Sequence, residues 1–281
     1  MKKKLLLIDG HNLLFQMFFG MPARIIGRDG ISVSGAVGFI GALGKIIRMV
    51  SPTHVAIIFD SETHNPRYDL LPEYKGNRPD YSELSDEENP FTQLPYIYRA
   101  LDEMGIRHTE AVNCECDDII ASYALTGDGE CEVVISSYDS DYFQLISDKV
   151  TVLRYRGDST VVCDAEFVKA KFATHPSTYA DCKALFGDTA DNVKGLRGIG
   201  PKTAARIIGE YGPLDRILEN TSVIREEKHR LLIEGEREVL KRNLELIRLD
   251  AHAPLPHPLD ELEYSHKGMA TMDILRSIGA L

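Results

Sequence analysis

Long apolar runs, paired cysteines and net positive charge are all scarce in this chain. The opening Met1-Lys2-Lys3-Lys4-Leu5-Leu6-Leu7-Ile8 imitates a secretory signal, but Asp9 interrupts the apolar stretch after four residues. No later run approaches bilayer-spanning length, which predicts a cytoplasmic protein with no membrane partner. The five cysteines, Cys114, Cys116, Cys131, Cys163 and Cys182, form an odd set without the CxxC spacing of a zinc site, so reduced thiols are expected. Cys114 and Cys116 flank Glu115 and are candidate soft ligands, yet their oxygen-rich neighbours favour a hard cation.

The formal net charge is -11. Affinity for a polyanion comes mainly from Lys and Arg neutralising phosphates, so this total argues against a nucleic-acid partner. Distribution weakens that objection. Residues 1–50 hold seven Lys and Arg against Asp9 and Asp29, a balance of +5, whereas residues 51–148 hold 21 Asp and Glu against five Lys and Arg, a balance of -16. An acidic middle that holds divalent cations changes sign locally once loaded.

With 281 residues and 43% hydrophobic content, the chain is long enough for one substantial core and a smaller satellite. Lys4 to Ile8, His54 to Phe59 and Glu132 to Ser137 read as buried strands, ending at Asp9, at Asp60 and before Asp139 and Asp141. Helical patterns cover Gly35 to Val50, Thr92 to Met104 and Asp117 to Leu125. The alternation predicts an α/β fold, a mostly parallel sheet covered by helices on both faces, with ligands bound beyond the carboxyl ends of the strands. Residues 61–91, with Pro66, Pro72, Pro79 and Pro90, read as a long mobile excursion over that edge. Beyond Thr174 the texture is short helices and glycine turns, with helical character at Ile207 to Leu218 and Glu236 to Ile247. A proline-marked strap from Ala251 ends in a short helix.

A single aspartate at a strand end is usually a turn or cap residue, and Glu115, Asp117 and Asp118 at a helix start suit the helix dipole. Gathering Asp9, Asp60, Asp139 and Asp141 with them at one edge is costly unless cations bind, and oxygen ligands without supporting Cys or His point to Mg²⁺, or Mn²⁺ in its place. Asp188 and Asp191, spaced i, i+3, are expected on one face of a helical turn, able to share a second ion. Two ions about 3.5–4 Å apart activate a water and stabilise the leaving oxygen of a phosphodiester.

Gly195-Leu196-Arg197-Gly198-Ile199-Gly200-Pro201-Lys202-Thr203 places a glycine turn before a helix opened by proline. Its free amides form an anion nest suited to a DNA phosphate, with Lys202 and Arg206 adding charge. The bland alternative is an ordinary helix-turn-helix corner. Arg67 to Pro79 carries three of the five basic residues of the acidic middle. By itself it reads as a solvated loop. Beside a metal cluster, Lys75 and Arg78 would grip the scissile phosphate while Tyr74 stacks on a base.

Seven motifs in one order resemble the 5′-to-3′ exonuclease and flap endonuclease family, over about Leu5 to Pro256. They are Ile8-Asp9-Gly10, Phe59-Asp60, Tyr74-Lys75-Gly76-Asn77-Arg78, Glu115-Cys116-Asp117-Asp118, Asp139-Ser140-Asp141, Gly187-Asp188-Thr189-Ala190-Asp191-Asn192 and Gly198-Ile199-Gly200-Pro201-Lys202-Thr203-Ala204. The resemblance implies a PIN-like nuclease domain over residues 1–173, with a helical arch near 61–91. It also implies a helix-three-turn-helix DNA-binding region and strap over 174–281, in a free-standing monomer. It assigns Asp9, Asp60, Glu115, Asp117 and Asp139 to one metal group, adds Asp141, Asp188 and Asp191 for the other, and puts Asp118 behind them. A potassium ion would sit on the backbone carbonyls of Leu185, Phe186, Lys194, Leu196 and Ile199, bridging to a DNA phosphate. Arg67, Tyr74, Gly198, Gly200, Lys202, Thr203 and Arg206 would meet DNA. The chain departs from many relatives at Cys116, where they have alanine, and at Ser137-Tyr138, where they have Thr-Gly.

The implied activity is structure-specific cleavage of DNA near free 5′ ends, nicks or flaps, in replication or repair, leaving a 5′-phosphate and a 3′-hydroxyl. The rivals are a PIN-type ribonuclease, which needs no glycine hairpin, a catalytically weak structure-specific DNA-binding protein, and a phosphatase built on Asp139-Ser140-Asp141.

Overall fold

Leu5, Leu6, Leu7 and Ile8 are all fully buried, a pattern that requires cover on both faces of the strand they form. The computed structural model describes residues 3–21, 24–28, 30–61, 63–81, 84–85, 87–265, 268 and 270–281. That first strand is β1 (Lys4–Asp9), followed along the chain by β2 (His54–Phe59), β3 (Arg107–Glu110), β4 (Glu132–Ser136), β5 (Val150–Arg154) and β6 (Val161–Cys163). The sheet order is β3-β2-β1-β4-β5-β6, parallel throughout except for β6, which runs antiparallel to β5.

Among the described residues, the α-helices between these strands are α1 (Gly10–Gly20), α2 (Ser34–Val50), α3 (Arg67–Leu70), α4 (Leu94–Met104) and α5 (Cys116–Glu130). Leu6 and Ile8 join the core beneath α1, α2 and α4, while Leu5 and Leu7 join the opposite core beneath α5. Alternate side chains of β1 therefore seal two cores, and the expected doubly covered parallel sheet is what forms.

The second half is helical: α6 (Ala165–Phe172), α7 (Tyr179–Phe186), α8 (Pro201–Tyr211), α9 (Leu214–Glu219), α10 (Glu227–Gly235) and α11 (Arg237–Ile247). A third core of Leu185, Ile207, Ile217, Ile233 and Leu240 holds α7 to α11 together. The helical character expected from Ile207 to Leu218 is present, divided between two helices. Gly212, at φ 93°, and Pro213 break it into α8 and α9, since proline blocks helical continuation.

The strap after Ala251 crosses back to the first half. The Tyr264 amide donates to the Thr53 carbonyl at 2.8 Å, and α12 (Thr271–Ser277) places Ile274 and Leu275 in the core beneath α2 and α4.

The segment expected as a helical arch carries little helix among the described residues of 61–91. They hold the four-residue α3, turns from Pro72 to Asn77 and the start of a 3₁₀ turn at Pro90–Gln93. Pro72 and Pro79 block longer helix formation. Hydrogen bonds pin the turns to the hairpin at 187–194, among them Lys75 N to Asp191 O (3.0 Å), Asn77 Nδ2 to Thr189 O (2.8 Å) and Asn192 Nδ2 to Glu73 O (2.8 Å). No helix among the described residues is long and apolar enough to cross a membrane.

Candidate active site

Between β1 and β4 the strand order reverses, because the chain builds outward on the β2 side first and then resumes at β4. Ligands of such sheets bind at the carboxyl ends of the strands at this switch point. Asp9 closes β1 and caps α1, its Oδ1 accepting from Asn12 N at 3.0 Å. The turn into α1 requires Gly10, where an added Cβ would lie 2.5 Å from the Phe59 ring. Asp60 follows β2 and accepts from the Cys116 amide at 2.9 Å, which ties it to the start of α5.

Ligand atoms of Asp9, Asp117 and Cys116 lie within 4.8 Å of one another. Neutral donors steady this group: Ser137 Oγ to Asp9 Oδ2 at 2.9 Å, Tyr142 OH to Asp9 Oδ2 at 3.4 Å, and Tyr142 OH to Asp117. Burial pushes the Asp9 carboxyl up to about 6, with the negative charges of Asp60 and Asp139 adding to it against the Asn12 and Ser137 hydrogen bonds. Asp117 is held well above the usual carboxylate range by burial and then by Asp139 and Asp9. Asp60 goes the other way: despite burial, the His11 hydrogen bond and the Lys75 charge hold it low. Carboxylates this crowded fit a divalent cation, since an ion removes the repulsion that otherwise protonates them. Burial and then the surrounding aspartates raise the Cys116 thiol well above its ordinary value, and a hard cation at this group prefers the carboxylate oxygens beside it.

A second group joins Asp141, Asp188 and Asp191, again within 4.8 Å. The expected helical turn carrying Asp188 and Asp191 is corrected. Asp188 ends the first strand and Asp191 sits in the turn of a short antiparallel hairpin, β7 (Gly187–Asp188) with β8 (Val193–Lys194). Gly187 at φ 86° and Gly195 pack so closely that a Cβ on Gly195 would lie 2.1 Å from the Phe186 carbonyl carbon, and helical geometry is lost at this contact. Lys183 is buried between Asp141 and Asp188 and pairs with both. Burial pushes Asp141 up to about 7, opposed by Lys183 and reinforced by Asp139 and Asp188. Asp139 accepts from the Asp141 amide at 2.8 Å and acts electrostatically on both groups.

Glu115 does not join either group. Both its oxygens are taken by Asn65 (2.9 Å), Lys75, Tyr74 OH (3.1 Å) and Arg67 (3.3 Å). Arg67 and Tyr74, expected at the DNA, are corrected, being only 8% and 3% exposed. Arg67 forks onto Asp118 at 2.7 and 2.8 Å and donates to Leu246 O at 3.0 Å, so it locks α5 to α11 behind the site. Tyr74 OH reaches Glu115 and Asp191 instead of a base. Lys75 is paired with Glu115, and the more exposed Arg78 sets its Nη2 on Asp191 at 2.7 Å.

Gly198 adopts φ 90°, and Gly200 precedes α8 without a side-chain cap, leaving the amides of its first turn available beside exposed Lys202 and half-buried Thr203. Arg206 pairs with Glu226 at 3.0 Å. The carbonyls of Leu185, Lys194 and Leu196 accept from Leu196 N (2.8 Å), Asn243 Nδ2 (2.9 Å) and Ile199 N (3.0 Å).

His11, Asn12, Asn65, Tyr142 and Lys183 also build the site although no motif marks them, and so does Ser137, noted in the sequence only as a departure from relatives. Adjacency to Asp9-Gly10 and Asp139 was the available signal for His11, Asn12 and Ser137. Nothing in the spacing marks Lys183.

Residues 4–173 match the 5′-3′ exonuclease N-terminal, resolvase-like domain, and residues 174–270 match the 5′-3′ exonuclease C-terminal SAM fold. DNA polymerase I of Rhizobium leguminosarum is 34% identical over 266 residues, covering 92% of this chain and 26% of the relative. That of Bacillus caldotenax is 35% identical over 271 residues, covering 94% and 30%. The chain thus spans less than a third of the length of these relatives. Among solved structures, T5 5′-exonuclease with bound zinc gives a TM-score of 0.75 at 24% identity, covering 98% of this chain and 99% of the other. The catalytic core of Rad2 in complex with DNA substrate gives 0.58 at 17%, covering 98% and 86%. These likenesses show the same fold.

Proposed function

The chain belongs to the 5′-3′ exonuclease family, and on that premise we propose that it hydrolyses DNA phosphodiesters near free 5′ ends, nicks or flaps. The observation that carries this is the convergence of Asp9, Asp60, Asp117, Asp139, Asp141, Asp188 and Asp191, from separate segments, on one sheet edge beside a glycine hairpin. Magnesium ions held by these carboxylates would supply the acidity that turns water into a nucleophile and the charge that stabilises the leaving oxygen. Lys75 and Arg78 release Glu115 and Asp191 to grip the scissile phosphate. Asp118 and Arg67 hold the start of α5 in place, and with it Asp117. The amides of Gly200, Lys202 and Thr203, with the Lys202 side chain, anchor a phosphate of the duplex, and a potassium ion on the hairpin carbonyls completes that anchor. The same proposal divides the chain into a nuclease part, 1–173, and a DNA-gripping part, 174–281, in a cytoplasmic monomer that acts in replication or repair.

A 5′-labelled flap oligonucleotide incubated with purified protein tests this. Cutting in Mg²⁺ that stops in EDTA and is lost in Asp139→Ala is expected. Flap binding in Ca²⁺ without cutting in Mg²⁺ or Mn²⁺ would replace the nuclease with a binding protein. Preference for RNA would replace it with a ribonuclease.

A further inference from the structure

At the rim of the first carboxylate group, one aromatic ring and one guanidinium take no part in holding the acids. Tyr138 stands between Ser137, whose hydroxyl donates to Asp9, and Asp139. Its backbone is gripped from two directions: its N–H donates to Asn12 Oδ1 at 2.9 Å, and its carbonyl accepts from Arg154 Nη2 at 2.8 Å. The residue is half-buried. Arg154 closes β5 with its guanidinium 4.6 Å from the centroid of the buried Phe143 ring and 5.9 Å from that of Tyr138. Its Nε is buried without a partner. Arg67 and Arg78 each hold a carboxylate at 2.7 Å, whereas Arg154 holds none among the described residues.

We propose that Tyr138 and Arg154 form a nucleotide ledge that sets which bond is cut, an inference that rests on the nuclease function proposed above. The ring stacks on the base of a nucleotide flanking the scissile phosphate, a contact every base can make, and the guanidinium pairs with that nucleotide's outer phosphate. Because Ser137 and Asn12 fix the backbone of this segment to Asp9 and α1, a base on the ring is held in register with the carboxylates. Tyr138 and Arg154 are thus positioning residues.

The test uses 5′-flap DNA with an abasic site at each nucleotide flanking the cut in turn, and maps cut positions as well as rates. The wild-type protein should cut at least one abasic substrate about ten-fold more slowly than intact DNA. Tyr138→Ala should cut intact DNA slowly, scatter its cuts to neighbouring bonds and show no further abasic penalty, while Tyr138→Phe should behave like wild type. Arg154→Gln should raise KM on intact DNA and show no further loss on a substrate carrying a neutral methylphosphonate at the outer phosphate. A wild-type protein indifferent to both abasic sites, or a Tyr138→Ala variant as sensitive as wild type, would overturn the ledge alone. A wild-type protein that cuts no DNA would overturn the nuclease function and the ledge together.

Discussion

Among the described residues, Asp9 and Asp117 make hydrogen bonds only to neutral donors, whereas Asp141 and Asp188 clasp Lys183 and Asp191 clasps Arg78. The first group must settle its charge by protonation or by an outside cation, and the second has cations of its own. Both sit at one edge, yet only the first is incomplete in the protein by itself. An ion entering the second group competes with a buried lysine, so tighter metal binding is expected at the first.

The sharpest way to break this contrast is to neutralise one acid on each side. Asp117→Asn should lower kcat by about a thousand-fold, ~4 kcal/mol of transition-state stabilisation, and Asp188→Asn by a smaller factor of about 10 to 100. Equal losses in single-turnover cleavage would abolish the distinction.

Next in size is Lys183→Met, which leaves Asp141 and Asp188 facing each other without a counter-charge. Metal-free protein should lose about 3 kcal/mol of stability, much of it recovered with Mg²⁺. Urea unfolding with and without the ion measures both, and a variant unaffected by Mg²⁺ would show that the second group holds no cation.

A smaller effect concerns pH. Asp9 at about 6 and Asp141 at about 7 stand above the ordinary carboxylate value, so between about pH 4 and 7 the folded protein retains protons that the unfolded chain releases. Metal-free stability therefore falls as pH rises through that window, and stabilisation by Mg²⁺ grows. Thermal melts in EDTA and in Mg²⁺ should separate progressively over this range; parallel curves would contradict the protonated acids.

The smallest expected change lies away from both groups. Lys202→Ala should weaken DNA binding several-fold and reduce the slope of log affinity against log salt by about 1, leaving kcat for bound DNA unchanged. A fall in kcat would link the hairpin directly to the chemistry.

How far each element was legible depended on its position in the fold. Central strands β1, β2 and β4 announce themselves as apolar runs because both their faces are sealed. Edge strand β3, Arg-His-Thr-Glu, carries polar side chains and was missed, as were β5 and the short β6. The carboxylates were found because each closes a strand, opens a helix or sits in a glycine turn. Arg67 was misread as a DNA contact because its partners, Asp118 and Leu246 O, lie 51 and 179 residues away. A basic residue in a proline-rich loop looks solvated until those distant groups close around it.

The order of apolar runs and acids along this chain was enough to determine a parallel sheet with carboxylates at its active edge, since burial and strand ends are local matters read directly from residue type. Which acids face one another, which are matched by Lys183, Arg67 or Arg78, and which remain in need of an ion was decided only by tertiary packing. Electrostatic balance depends on distances of a few ångströms between groups remote in sequence, and spacing along the chain carries no record of them.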